Sequence, residues 1–231
     1  MNPILKKSID LIQNRIRETA HLCGRDTNEI QLIAVTKKIQ PELIREAIGC
    51  GLITFGESYI QESREKIASI SDSSISWHFI GHLQSNKAKY AVKLFNLIHT
   101  VDSIKLACEL NRQAQKINKV QDILLQVNVG MESSKSGVSP DDVLDLAIAI
   151  GSLSNLKVKG LMTIPPVYNS PEMVAPYFQN LRKLQDIIRN EKIPNIDMKE
   201  LSMGMTGDFE VAIREGATMI RIGTAIFGER G

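Results

Sequence analysis

The chain has 231 residues, 43% of them hydrophobic, which is enough to bury a full core and fits the usual size of a single α/β barrel. Its 28 Lys and Arg against 26 Asp and Glu leave a net charge of +2, and no basic run is interleaved with aromatics, so nothing draws in nucleic acid or an anionic membrane. Cys23, Cys50 and Cys108 are odd in number, far apart and outside any C-x-x-C or C-x-x-H pattern, which argues against a disulfide framework or zinc site and for small buried hydrophobes in a reducing compartment.

Over residues 1–24, Ile4, Leu5, Ile9, Leu11, Ile12, Ile16 and Leu22 alternate with Lys6, Lys7, Asp10, Arg15, Arg17 and Glu18. This spacing predicts an amphipathic helix and lacks the unbroken apolar stretch of a signal peptide or membrane span, so the expected location is cytoplasmic. Eight short apolar runs follow, at 31–36, 52–56, 77–81, 96–101, 122–129, 156–163, 198–203 and 218–223. Helical spacing falls between them, at 41–50, 60–70, 86–93, 103–117, 140–150, 171–190 and 208–216, with Pro41 and Pro140 in first turns and Gly51 and Gly216 just past helix ends. Alternating β and α elements imply a parallel sheet. Eight of them without spare length predict a closed (β/α)8 TIM barrel preceded by the N-terminal helix, one domain over residues 1–231; an open doubly wound sheet is the alternative. The loop 163–171, with three prolines, reads as a stiff wall or lid over one barrel face. No heptad seam or large apolar face demands an oligomer, so a monomer is expected.

Active sites of such barrels gather at the C-terminal ends of the strands, and the phosphate site often follows the seventh and eighth. There the sequence places two turns of glycines and hydroxyls, 202–208 with Ser202, Thr206 and Asp208, and 221–225 with Arg221, Gly223 and Thr224. Lys37 ends the first run. A strand-end lysine can form an imine with an aldehyde, and small hydroxyl and glycine turns can hold a phosphate; pyridoxal 5′-phosphate (PLP) carries both groups. Three points stay open on the residues alone. Only one of Lys37 and Lys38 can face the barrel mouth. The 202–208 turn can also serve as a helix cap, with Asp208 or Thr206 as the N-cap. Arg221, inside an apolar strand, needs a partner, either a carboxylate such as Glu57 or Asp102 or a cofactor. His78 and His82 flank the third strand end without a third ligand, so no metal is expected.

The segments 32–37 (LIAVTK), 55–62 (FGESYIQE), 77–87 (WHFIGHLQSNK), 160–166 (GLMTIPP), 201–209 (LSMGMTGDF) and 221–228 (RIGTAIFG) together resemble the YggS/PROSC family of pyridoxal phosphate homeostasis proteins, whose fold is similar to the barrel domain of alanine racemase. The resemblance implies that Lys37 holds PLP as a Schiff base, that Thr206, Gly223 and Thr224 grip its phosphate with help from Ser202, and that Arg221 faces the pyridine nitrogen. The chain departs from the family pattern at Ser58, where asparagine is common, and at Thr206, where serine is. The sequence ends soon after the eighth run, without a stretch for the extra β-domain that closes racemase sites. The expected role is therefore a PLP carrier in vitamin B6 and amino-acid homeostasis rather than a catalyst. The alternatives are a racemase-like enzyme, with Tyr59, His82 or Tyr168 as the opposing acid, and a cofactor-free aldolase acting through Lys37 on a sugar phosphate.

Overall fold

A computed structural model describes residues 2–229; the expected domain limits at Met1 and Gly231 lie outside the described residues. Helix α1 (Pro3–Leu22) leads into β1 (Gln31–Val35), and the chain then alternates through α2 (Pro41–Gly49), β2 (Thr54–Glu57), α3 (Ile60–Ile70), β3 (Ser76–Phe79), α4 (Ala88–Leu94), β4 (Leu97–Val101), α5 (Ile104–Gln115), β5 (Gln121–Gln126), α6 (Val143–Gly151), β6 (Leu156–Met162), α7 (Ala175–Asn190), β7 (Ile196–Ser202), α8 (Phe209–Arg214), β8 (Met219–Ile222) and α9 (Thr224–Phe227). The eight strands pair in sequence order, all parallel, and β8 returns to β1 with Ile33 opposite Arg221. The closed barrel is the predicted one.

Because side chains alternate across each strand, the barrel sorts its residues into two layers. Ile33, Leu97, Leu124, Met162 and Met219 form a small apolar cluster of their own, with Ile164 against it. Residues of the other parity, among them Ala34, Phe55, Trp77, Phe79 and Ile98, join the large shell between barrel and helices. The inner cluster is too small to fill the barrel alone. Four further inward positions carry His78, His99, Ser202 and Arg221, all buried. That polar filling leads to the site.

Helix α1 buries Leu5, Ile9, Ile12, Ile16 and Ala20 as one stripe, and its N-terminus is capped by the Asn2 side chain, which accepts from the N–H groups of Ile4 and Leu5. It packs on α8 and α9, where Arg15 meets Glu210 at 2.9 Å and lies over the Phe209 ring.

Two local expectations change, and one element is new. Pro140 lies in a turn before α6 rather than in its first turn, because Ser139 and Asp142 bond each other and delay the helix to Val143. The short helix α9 follows β8 directly. The cysteines are free, but Cys108 is exposed and Cys23 and Cys50 only half-buried, since the latter two are helix C-caps.

Candidate functional site

Parity resolves the choice between the adjacent lysines. Val35 and Lys37 both line a cavity of about 300 Å³ at the C-terminal end of the barrel, while Lys38 faces a different groove beside α3. The chain turns sharply here, with Lys38 at φ +62°, a strained value for a non-glycine residue. The turn is pinned from behind by charge. Lys66 of α3, buried, donates to the Thr36 carbonyl and pairs with Glu57 at 2.9 Å, and Glu62 accepts both from Lys66 and from the Lys38 N–H. Glu57 is fully buried and also accepts from the Thr36 hydroxyl at 2.7 Å. Burial pushes its carboxyl pKa up, and Lys66 and Thr36 draw it partly back.

The wall also includes Met205, Thr206 and Gly207, after β7, and Arg221, Gly223 and Thr224 of β8 and its end, the strand beside β1. The Thr206 and Thr224 hydroxyls stand 3.3 Å apart. Gly204, at φ +90°, makes the bend; a Cβ there would lie 2.5 Å from that of Ala212, so only glycine lets the turn settle on α8. Asp208 closes it by accepting from the Met205 N–H at 2.6 Å. Burial pushes the Asp208 carboxyl pKa up. Asp208 occupies the N-cap position of α8, but its side chain bonds the turn backbone before the helix and makes no cap bond to α8, so the expected side-chain cap is replaced by a brace on the cavity turn.

Arg221 is buried, and its guanidinium donates through Nη1 to Ser202 Oγ at 2.6 Å and through Nη2 to the Thr163 carbonyl at 2.9 Å. Among the described residues no carboxylate lies within ion-pair distance of it. Glu57, one of the expected partners, belongs to Lys66 instead. Burial lowers the Arg221 pKa to about 10, with Asp208 raising it at longer range, so the group stays cationic at neutral pH. A buried cation without an anion is costly unless something else meets it.

Five of the six expected site residues, Lys37, Thr206, Arg221, Gly223 and Thr224, line this one cavity. Ser202 lies beneath it, fully buried, with its hydroxyl shared between Arg221 and His99. Ser58 lines the cavity as well. Of the acids considered for an opposing role, none lines it: Tyr59 and His82 border a neighbouring groove, and Tyr168 bonds Tyr177 at 2.5 Å. The described titratable side chains of the cavity wall are Lys37 and Arg221. Among the described residues there is no cluster of three His, Cys, Asp or Glu suited to a metal, and no helix is long and apolar enough to cross a membrane.

Sequence reasoning passed over His99, hidden in the apolar run 96–101. The usable signal was an imidazole at an inward position of a strand, which must find a buried partner. It bonds Ser202 through Nδ1 at 2.9 Å and His78 through Nε2 at 3.0 Å.

A closed barrel with a lysine at the end of its first strand and hydroxyl turns after the seventh and eighth defines a class: the model of the alanine racemase N-terminal domain family matches residues 8–231. Within that class the chain belongs to the family of pyridoxal phosphate homeostasis proteins. It is 47% identical over 219 residues to the protein of that name from Aquifex aeolicus strain VF5, covering 95% of each chain. The structure of PipY from Synechococcus elongatus PCC7942 with PLP bound superposes with a TM-score of 0.81 at 35% identity, over 93% of this chain and all of that one. Alanine racemase from Corynebacterium glutamicum shares the fold at 14% identity, with a TM-score of 0.71 over 96% of this chain and 61% of the racemase.

Proposed function

We infer that the cavity binds PLP and that the chain acts as a PLP-holding protein in vitamin B6 and amino-acid homeostasis rather than as a catalyst. The observation that carries this is Arg221, a buried guanidinium with no carboxylate at ion-pair distance among the described residues, on the wall of a cavity that also presents Lys37 and two threonine hydroxyls. The residues present fit the group. A cavity of about 300 Å³ is at the small end of ligand sites, which run roughly 300–1,000 Å³. PLP supplies an aldehyde that condenses reversibly with an amine, releasing one water.

Lys37 provides that amine from a clamped turn. Thr206 and Thr224 offer hydroxyl hydrogens to a phosphate, beside the backbone of Gly207 and Gly223. Arg221 donates to a ring nitrogen and, remaining protonated, cannot readily pass a proton to it. The ring then stays neutral and withdraws electrons weakly, which suits holding over carbanion chemistry. The wall's lack of a second described acid or base supports the same reading, because racemisation needs a group on the opposite face. The PLP-bound PipY structure and the names of the relatives support it too.

Borohydride reduction of the protein incubated with PLP, followed by peptide mass analysis, tests the inference. The adduct is expected on Lys37; an adduct only elsewhere, or none, refutes the reading. Solvent deuterium exchange at Cα of a panel of amino acids separates holding from catalysis, and turnover-rate exchange would replace the first by the second. Thr224→Ala is expected to weaken PLP binding by about tenfold or more, the worth of a hydrogen bond to a charged group at roughly 1.5–3 kcal/mol. A titration giving unchanged affinity would remove Thr224 from the phosphate grip.

A further inference from the structure

Four side chains inside the barrel join into a line that ends on Arg221. Ser76 Oγ lies 3.1 Å from His78 Nε2, His78 Nδ1 lies 3.0 Å from His99 Nε2, His99 Nδ1 lies 2.9 Å from Ser202 Oγ, and Ser202 Oγ receives Arg221 Nη1 at 2.6 Å. The line runs from the start of β3 through β4 and β7 to β8. Ser76 is half-buried at its outer end, and His78, His99 and Ser202 are buried.

The direction of these bonds follows from what each group can do. A guanidinium only donates, so Ser202 accepts from Arg221. Were His99 also to donate to Ser202, the hydroxyl hydrogen would have no acceptor among its described contacts, which in a fully buried group costs about 1–3 kcal/mol. Ser202 therefore donates to His99 Nδ1. With Nδ1 an acceptor, the neutral His99 ring carries its hydrogen on Nε2 and donates to His78 Nδ1. His78 then carries its hydrogen on Nε2 and donates to Ser76. Charge selects the same order, since every O–H and N–H dipole then turns its negative end towards the guanidinium, and aligned bonds polarise one another. The reverse order would point the positive ends of three bonds towards a buried cation. Protonating His99 would put a second positive charge near Arg221, and protonating His78 one beside His99, with no described carboxylate bonded to either ring. Burial depresses both imidazole pKa values accordingly.

We propose that Ser76, His78, His99 and Ser202 form a one-way chain of neutral hydrogen bonds that acts as the positioning device for Arg221, with His99 as its central positioning residue, and that it keeps the guanidinium aimed at a ring-nitrogen acceptor in the cavity. The proposal rests on the PLP reading for the identity of that acceptor, while the order of the chain is a property of the protein alone. Ser202→His99 holds Nη1 and the Thr163 carbonyl holds Nη2, so the guanidinium plane is fixed by two points and its remaining N–H groups are presented without rotation. Specificity for a heteroaromatic ring over a plain aromatic aldehyde phosphate then depends on residues that never touch the ligand.

Two measurements decide it. The chain has four histidines, and His21 and His82 are exposed, so the double variant His21→Gln/His82→Gln leaves the two buried rings for nitrogen-15 NMR of the protein without added ligand. Both rings are expected as neutral Nε2–H tautomers at pH 7.5; a hydrogen on Nδ1 of either ring, or an imidazolium, overturns the chain. The second measurement titrates PLP and its analogue with C–H in place of the ring nitrogen. The wild type is expected to favour PLP by about tenfold, His99→Leu to lose most of that preference, and His99→Gln, which can accept from Ser202 and donate to His78, to keep it. Full preference retained in His99→Leu refutes the positioning role, and Ser202→Ala gives the same readout should His99→Leu fail to fold. A wild type that binds neither compound at Lys37 defeats the PLP reading and with it the aimed acceptor, while the tautomers still judge the chain.

Discussion

Lowering the pH from 7 to 5 is expected to remove about 2 kcal/mol of unfolding free energy through His78, with His99 adding to the loss in the same direction. Burial pushes the His78 pKa down to about 4, and that of His99 well below the usual value, with repulsion from His78 and Arg221 adding to the burial of His99. Both imidazoles return to about 6.5 in the unfolded chain. For a depressed folded pKa the unfolded state takes the proton first, so stability is complete above about pH 6.5 and is lost as the pH falls towards the folded value. At pH 5 the unfolded His78 ring is almost wholly protonated and the folded ring still largely neutral, a difference of about 2 kcal/mol, and His99 adds to the loss in the same sense. Glu57 and Asp208 act in the opposite sense, because their raised pKa values let the folded state bind protons first as the pH drops. They soften the lower end of the fall without removing it. Urea unfolding at pH 7, 6 and 5 measures the effect, with the double variant His78→Gln/His99→Gln as the reference that should vary least. A wild-type midpoint that does not move over this range, at constant slope, would mean that the rings are charged or solvated in the folded protein.

What the sequence disclosed and what it hid divide along a physical line. Strand positions were legible because each barrel strand is buried on both faces and reads as an apolar run between turn residues. Thus β1, β4, β6 and β8 lie within a residue of their predicted limits, as the runs 31–36, 96–101, 156–163 and 218–223 foretold. The site was legible for a related reason, since strand-end residues of one barrel must meet whatever their separation in sequence. Lys37 and Thr224 are 187 positions apart and share a wall. Pairings inside the barrel were not legible. Arg221 was offered a carboxylate such as Glu57 or Asp102 because a buried guanidinium needs a partner, yet finding Ser202 instead requires the register of β7 against β8 and the reach of Lys66 from α3. No spacing rule contains either quantity. His99 was missed for the same cause, being a polar residue in a run whose other members are apolar, where only the three-dimensional neighbour reveals its use.

Replacing Lys66 by methionine is expected to destabilise the fold by about 3–5 kcal/mol at pH 8, the cost of breaking a buried ion pair from one side. Glu57 has no exposure, and its Oε2 lacks a hydrogen-bond partner, so Lys66 and the Thr36 hydroxyl, both on Oε1, carry its compensation. Without the ammonium the carboxylate must take up a proton. A raised folded pKa gives stability that is present at low pH and lost as the pH rises through it, so the deficit of Lys66→Met should shrink from pH 8 towards pH 5. Glu57→Gln added to Lys66→Met removes the stranded charge and should recover most of the loss, a non-additivity expected of residues in direct contact. The same lysine holds the Thr36 carbonyl, and its partner Glu62 holds the Lys38 N–H, so the turn on either side of Lys37 loses a restraint. PLP attachment should therefore weaken in the single variant at a pH where it is still folded, because an amine that must be ordered on binding forfeits part of its affinity. Denaturant titrations at pH 8 and pH 6, paired with absorbance titrations of PLP, separate the two effects. A Lys66→Met protein within about 1 kcal/mol of wild type at pH 8 would mean that Glu57 is already neutral in the native barrel, and the clamp on Lys37 would then be a hydrogen-bonded one rather than an ionic one.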